Sequence, residues 1–262
     1  MHRRRASFVL LLLAALCCHA CGSSSDSSGS ASLPSAPSPT GPQTAAYDTR
    51  FSITENPLSE GGRWLNGQAD GVDWKDVRTT PGLAFGSDGS GTPHYDDPTA
   101  ILSGTWNPNQ AVQATVYTVN QKGGNIYEEV EIRLRSAIVP HRITGYEIMF
   151  RCNHDGTQYV NLARWNGPLG DFTPLGGVRG PGLFNGDVVK AQISGSVITA
   201  YINGNQVAQW SDTTFSSGSP GMGYYLDGSP NLNADYGFTR FTVTDASASF
   251  TPIRMMKGSA SP

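Results

Sequence analysis

The sequence predicts an all-β protein, an antiparallel two-sheet β-sandwich. Three observations carry that expectation. Runs at 129–135, 146–151 and 159–165 alternate between apolar and polar side chains, the period of a strand with one buried face. No amphipathic helix of useful length is legible between residues 47 and 253. Candidate strands recur at short spacing between Gly, Pro and Asn turns, with 31 Gly and 17 Pro in 262 residues, the punctuation of sandwiches and barrels.

The chain opens on a targeting segment, read as residues 1–20. Arg3–Arg5 make a basic start, and Phe8–Leu16 is an apolar run of secretory length, too short to span a bilayer as a helix. Ala20 followed by Cys21 and a Gly/Ser stretch resembles a bacterial lipoprotein signal, in which the cysteine becomes the lipidated N-terminus. The pattern departs at Cys18 and His19, where the family has Leu and a small residue. The expectation is a protein exported and lipidated at Cys21, at the outer membrane or cell surface, with periplasmic or secreted release as the alternative. Gly22 after the cysteine implies the outer membrane by analogy with that family of signals. Residues 21–46 are rich in Ser, Pro, Gly and Thr and nearly empty of large apolar side chains, a disordered tether. A β-sandwich domain is expected over 47–253 and a tail over 254–262.

Charge and cysteine content narrow the partners. Removing Arg3–Arg5 with the signal takes Lys+Arg from 18 to 15 against 21 Asp+Glu, a net of −6. An acidic domain is a poor fit to nucleic acid or to an anionic membrane surface, which leaves a lipid anchor as the only membrane contact expected. Cys17 and Cys18 leave with the signal and Cys21 would carry lipid, so Cys152 stays alone and no internal disulfide forms.

Residues 47–110 read as loop-rich, with short strands between Gly and Asp turns. Asp70, Asp73, Asp76, Asp88, Asp96 and Asp97 invite calcium, but no spacing matches a calcium loop. No metal or cofactor is expected, calcium being the open alternative. Trp74 and Trp106 are candidates for stacking on a sugar or for capping a core edge. Val112–Val119 alternates as a strand.

Residues 128–165 are the centre of the chain. Val130, Ile132 and Leu134 face inward, with Glu129, Glu131, Arg133 and Arg135 opposite. Tyr146, Ile148 and Phe150 face inward, opposite Glu147, Met149 and Arg151. Val160 and Leu162 face inward, leaving Tyr159, Asn161, Ala163 and Trp165 outside. Pairing opposite charges across strands selects one register: Glu129 with Arg151, Glu131 with Met149, Arg133 with Glu147, and Asn161 with Met149. That register leaves Glu131 without a charged partner. Asn153–Gly156 supplies the turn.

Gly167–Gly182 reads as a Gly/Pro-rich loop walling a groove. Val188–Ser194 and Val197–Ile202 are strands joined at Gly195, and Asn203-Gly204 makes a hairpin into Val207–Trp210. Gly218–Gly223 reads as a turn, Tyr224–Leu226 as a short strand, and Asp235–Val243 as the closing strand.

The order Gly186-Asp187-Val188, Gly195-Ser196-Val197-Ile198-Thr199-Ala200-Tyr201-Ile202-Asn203-Gly204 and Gly218-Ser219-Pro220-Gly221-Met222-Gly223 resembles a concanavalin A-like, or laminin G-like, jelly roll. Glu129–Arg133 and Gly145–Arg151 are similar to its central strands, so the resemblance covers roughly 50–245. It implies a concave sheet carrying a glycan site, and hence a polysaccharide or glycan as partner. The residues expected to bind it are Glu129, Glu131, Arg133, Arg151, Tyr159 and Asn161, with Trp165 stacking at the rim.

Catalysis is the second reading. The family 16 glycoside hydrolases of this fold use a Glu-x-Asp-x-x-Glu strand. Glu129 and Glu131 fill its first two places, but Leu134 stands at the third. Arg133 and Arg135 are expected to lower both carboxyl pKa values, the wrong direction for a general acid. Alginate-type lyases carry an Arg-x-Glu-Leu-Arg-like strand, of which Glu131-Ile132-Arg133 keeps only the end. His94, His141 and His154 fall in loops. Non-catalytic carbohydrate binding is the leading expectation, glycosidase or lyase with Glu129 and Glu131 the alternative. A structural or adhesion role in the cell envelope is the third.

Overall fold

A computed structural model describes residues 46–71, 73–87, 97–119, 127–227 and 233–246. The targeting segment, the tether apart from Ala46, and the tail lie outside them, as do Asp88, His94 and Asp96.

The strands are β1 (Tyr47–Thr49), β2 (Trp64–Asn66), β3 (Arg78–Thr80), β4 (Leu83–Phe85), β5 (Thr99–Leu102), β6 (Gln110–Thr118), β7 (Tyr127–Val139), β8 (Arg142–Arg151), β9 (Tyr159–Gly167) and β10 (Phe172–Arg179). They continue with β11 (Val188–Ser194), β12 (Val197–Ile202), β13 (Asn205–Ser211), β14 (Ser219–Asp227) and β15 (Tyr236–Asp245), the last preceded by a 3-10 turn at Asn233–Asp235. Two antiparallel sheets result. One runs β13-β12-β11-β6-β15-β4-β3 with β1 on β15, the other β10-β9-β8-β7-β14-β5-β2. This is an antiparallel two-sheet β-sandwich.

One core fills the space between the sheets. Val112, Ala114 and Val116 of β6 and Phe238 and Phe241 of β15 meet Val130, Ile132 and Leu134 of β7 and Tyr146, Ile148 and Phe150 of β8, all buried. Period-two alternation sends every second residue of these strands there and turns the others outward. On β7 and β8 the outward set is the charged one.

The register of the central strands follows the charge argument. Glu129 faces Arg151, Glu131 faces Met149, Arg133 faces Glu147, and Asn161 faces Met149. β11 and β12 have the bounds the sequence predicts, and their hairpin partner β13 turns at Asn203 (φ 51°) and Gly204 (φ 80°), the backbone of a two-residue hairpin turn.

Three elements differ from the sequence reading. β10 is a paired edge strand, Phe172–Arg179, where a loop was expected. Its glycines are there for space: a Cβ on Gly177 would lie 2.0 Å from Asn161 Oδ1, and one on Gly176 2.5 Å from Trp210 Nε1. β14 begins at Ser219, so the expected turn at 218–223 is mostly strand, pairing β7 on one side and β5 on the other. Arg135 leaves the outer face. The register shifts between Leu134 and Ala137, Arg135 takes φ 49°, and its guanidinium donates to the carbonyls of Pro108, Phe215 and Gly195 at 2.8 Å each. A bulge reverses which way a side chain faces.

The aspartates of the first loops close turns. Asp70 accepts from Asn66 N–H, Asp76 from the N–H groups of Gln68 and Ala69, and Asp73 lies against His141. Cys152 is a buried free cysteine whose thiol burial pushes well up.

Candidate functional site

The outer face of the β7–β8 sheet is assembled row by row from the pairing of its strands. Glu131 lies between Gly223 of β14 and Met149 of β8, and Arg133 between Gly221 and Glu147. Glu129 lies between Tyr225 and Arg151. The glycines make this possible. A Cβ on Gly223 would sit 2.1 Å from Glu131 Oε2 and 3.1 Å from Arg133 Nε, so both side chains lie across bare backbone. Asp97, just ahead of β5, brings a further carboxyl to the same place.

A groove of about 330 Å³ opens over these rows. Its carboxyl groups are Asp97, Glu129, Glu131, Glu147 and Asp227. Its aromatic walls are Tyr127, Tyr159, Trp165, Phe172 and Tyr225, with Met149 and Ala163 between.

Arg133 organises the floor. Its Nη2 donates to Glu147 Oε1 at 2.7 Å and to Glu131 Oε2 at 3.2 Å, at 1 % exposure. Glu131 is therefore not unpartnered, as the cross-strand register alone implied. Its ion partner lies two residues along its own strand, on the same face. The other oxygen of Glu147 accepts from Trp165 Nε1 at 2.5 Å. Tyr159 donates its hydroxyl proton to Glu129. Arg151 turns to the β8–β9 turn, donating to Asn153, Thr157 O and Asp155, and lies 3.9 Å over the ring of Tyr127.

Burial sets the charge state. It pushes Glu129 up to about 7, with Glu147 adding to the rise and the Tyr159 bond and Arg151 opposing it. Burial also holds Glu131 well above the usual carboxyl range, helped by the charge of Glu147, a hydrogen bond between the two carboxyls and the charge of Asp97, with Arg133 opposing. The neighbouring arginines pull both carboxyls down, as expected, but the net shift is upward, contrary to expectation, because desolvation outweighs the guanidinium beside each. Tyr159 is pushed up as well, by burial and then by the charge of Glu129.

Of the residues singled out from sequence, Glu129, Glu131, Tyr159 and Trp165 line the groove, while Arg133, Arg151 and Asn161 do not. Arg133 lies beneath the floor and Asn161 against β10 at Gly177. Trp165 is not at the rim. It is 2 % exposed, packed edge-on to Trp74 at 5.2 Å and against Phe172 at 5.1 Å. Trp74 is wholly buried in that small cluster, and Trp106 is half-buried against the main core. His141 is exposed beside Asp73, and His154 stacks under Phe184 at 4.1 Å. Sequence reasoning missed Tyr127, Tyr225 and Asp227; it named Asp97 only among the loop aspartates that invite calcium, and placed Phe172 in the stretch expected to wall a groove. The alternation of Gly223, Tyr225 and Asp227 was the available signal for two of them.

Asp97, Glu131 and Glu147 bring carboxyl oxygens within 4.8 Å of one another, which raises the question of calcium. Calcium takes six to eight oxygens. Here both oxygens of Glu147 and one of Glu131 are already held by Arg133 and Trp165 donors. The donor set does not fit a calcium cage.

No family model matches the sequence, and a search of curated proteins finds no match. Solved structures do match. The potassium-bound carbohydrate recognition domain of Emp46p aligns with a TM-score of 0.51 and 11 % identity, over 76 % of this chain and 96 % of that one. The carbohydrate-binding module CBM66 from Bacillus subtilis aligns at 0.46 and 15 %, over 72 % and 96 %. Porphyranase B from Zobellia galactanivorans aligns at 0.47 and 10 %, over 79 % and 96 %. At these identities the likeness concerns the fold alone. The protein is an antiparallel jelly-roll β-sandwich with an acidic, aromatic-walled groove on one sheet.

Proposed function

We propose that the protein binds carbohydrate in this groove. The observation that carries the reading is the lining: ring faces and hydrogen-bonding carboxyls on adjacent strands, around a volume near the lower end for small-ligand sites. Sugar C–H faces pack on aromatic rings, and sugar hydroxyls donate to carboxyl oxygens. The concanavalin A-like resemblance, with a glycan site on one sheet face, supports the same reading. The test is a glycan array with the full-length protein, then with Glu129→Gln and Tyr225→Ala. Binding by the parent that both substitutions weaken is expected. An array on which the parent binds nothing sinks the proposal.

Glycoside hydrolysis is a second reading, favoured by one observation. Glu131, its carboxyl raised well above the usual range by burial, stands beside Asp97 and Glu147 with oxygens no more than 4.8 Å apart. Retaining glycosidases pair a protonated acid with a carboxylate at about 5–5.5 Å. Release of reducing sugar from a polysaccharide panel, abolished by Glu131→Gln, would establish it.

We further read the chain as exported and lipidated at Cys21, supported by the basic start, the apolar run and the Ala20-Cys21-Gly22 junction. Radiolabelled palmitate should enter the parent and not Cys21→Ser.

A further inference from the structure

The groove is one-sided in charge. Five carboxyl groups line it and, among the described residues, no Lys, Arg or His does. Of the two arginines of the same face, Arg133 pairs from beneath the floor with two of these carboxyls, Glu131 and Glu147, and Arg151 pairs with Asp155 against the Tyr127 ring. An acidic cleft with low-dielectric walls draws cations and turns anions away. Aromatic walls add to the same preference, because the face of a tyrosine or tryptophan ring attracts an ammonium group. Neutral sugar hydroxyls explain some carboxyl acceptors beside rings. They do not explain a lining in which the single guanidinium of Arg133 is shared between Glu131 and Glu147 and no basic side chain faces Asp97, Glu129 or Asp227 from the lining itself.

We propose that the groove selects a basic sugar, one bearing an ammonium group, over neutral, uronic or sulfated glycans. This rests on the carbohydrate reading and narrows it. Glu129 is the carboxyl placed to receive the ammonium. Tyr225 stands directly across from it on β14, with Asp227 two residues further on, and Tyr159 bonds it from β9. Glu147 and Arg151 of β8 are the other charges bearing on it, and Glu131 lies two residues along its own strand on the same face. Glu147 itself is less suited, since Arg133 and Trp165 hold both its oxygens.

Because burial carries Glu129 up to about 7, an arriving cation must ionise it and release a proton. Affinity for a permanently charged sugar therefore rises as pH increases through about 7.

The experiment is titration calorimetry on the full-length protein. The probes are a glucosamine hexasaccharide with free amines, its N-trimethyl derivative, its fully N-acetylated counterpart and an oligogalacturonate. The expected result is binding of both charged probes at least about tenfold tighter than the acetylated one, since one charge-assisted contact is worth that much. Oligogalacturonate should not bind. With the N-trimethyl probe, two buffers of different ionisation heat should reveal proton release at pH 7, reduced in Glu129→Gln. Equal or tighter binding of the acetylated probe, or binding of oligogalacturonate, overturns the charge selectivity and leaves carbohydrate binding standing. Binding of none of these, with an empty glycan array, overturns both.

Discussion

Arg133 bridges Glu147 across the strand pair at 2.7 Å and Glu131 along its own strand at 3.2 Å, with all three side chains almost fully buried. One guanidinium serves two carboxyls, and burial, the charge of Glu147 and a hydrogen bond between the two carboxyls raise Glu131 well above the usual carboxyl range. The floor of the groove is a hydrogen-bonded unit.

Removing its centre should be costly. Arg133→Met is expected to lower stability by about 3–5 kcal/mol, the usual penalty for stranding a buried partner. Urea denaturation measures it. Adding Glu131→Gln and Glu147→Gln should recover much of the loss, because the stranded charges then go too.

Stability should depend on pH in an unusual direction. Glu128 and Glu129 are both raised, by burial first, to about 7. Between the unfolded carboxyl range near 4.5 and that value, the folded state holds more protons than the unfolded one. Their contribution is fully present below the unfolded pKa and is lost as pH rises through about 7. Each carboxyl is worth on the order of 1–3 kcal/mol over that window. Melting temperatures should fall from pH 5 to pH 8, and Glu129→Gln should flatten the slope. A parent curve that climbs across this window contradicts the assignment.

Gly223→Ala tests the bare backbone under the floor. The new Cβ would meet Glu131 Oε2 at 2.1 Å. The side chain must move and its bond to Arg133 must loosen. A loss of about 1–3 kcal/mol is expected, with weakened glycan binding, although alanine ordinarily suits a strand better than glycine.

Gly204→Ala is the counterpart away from the groove. Gly204 has φ 80° with nothing within 4 Å of a new Cβ, so the cost is backbone strain alone, about 1 kcal/mol. Chemical denaturation should show that loss while binding stays unchanged.

The central register was legible because opposite charges at Glu129, Arg133, Glu147 and Arg151 admit one alignment, and the β12–β13 hairpin because Asn203-Gly204 has few other uses. What sequence could not show was depth. Trp165 alternates outward and so reads as exposed, but Trp74, far off in the chain, covers it. Asp97 reads as one more loop acid until the path into β5 brings it to Glu131. The Gly-rich stretches at β10 and β14 read as loops, because their glycines answer to Trp210, Asn161, Glu131 and Arg133 on other strands, which no local pattern encodes. Arg135 follows the alternation in sequence and breaks it in space, since a bulge leaves no period-two trace.

The buried thiol of Cys152 offers a clock. It follows Arg151 at the end of β8, its N–H bonded to Glu128 O and its carbonyl accepting from Leu183 N–H. An alkylating reagent reaches it only when the end of the β7–β8 pair separates. The rate of its modification therefore times the opening of the sheet that carries the groove, and a ligand seated across both strands should slow that clock without touching the sulfur.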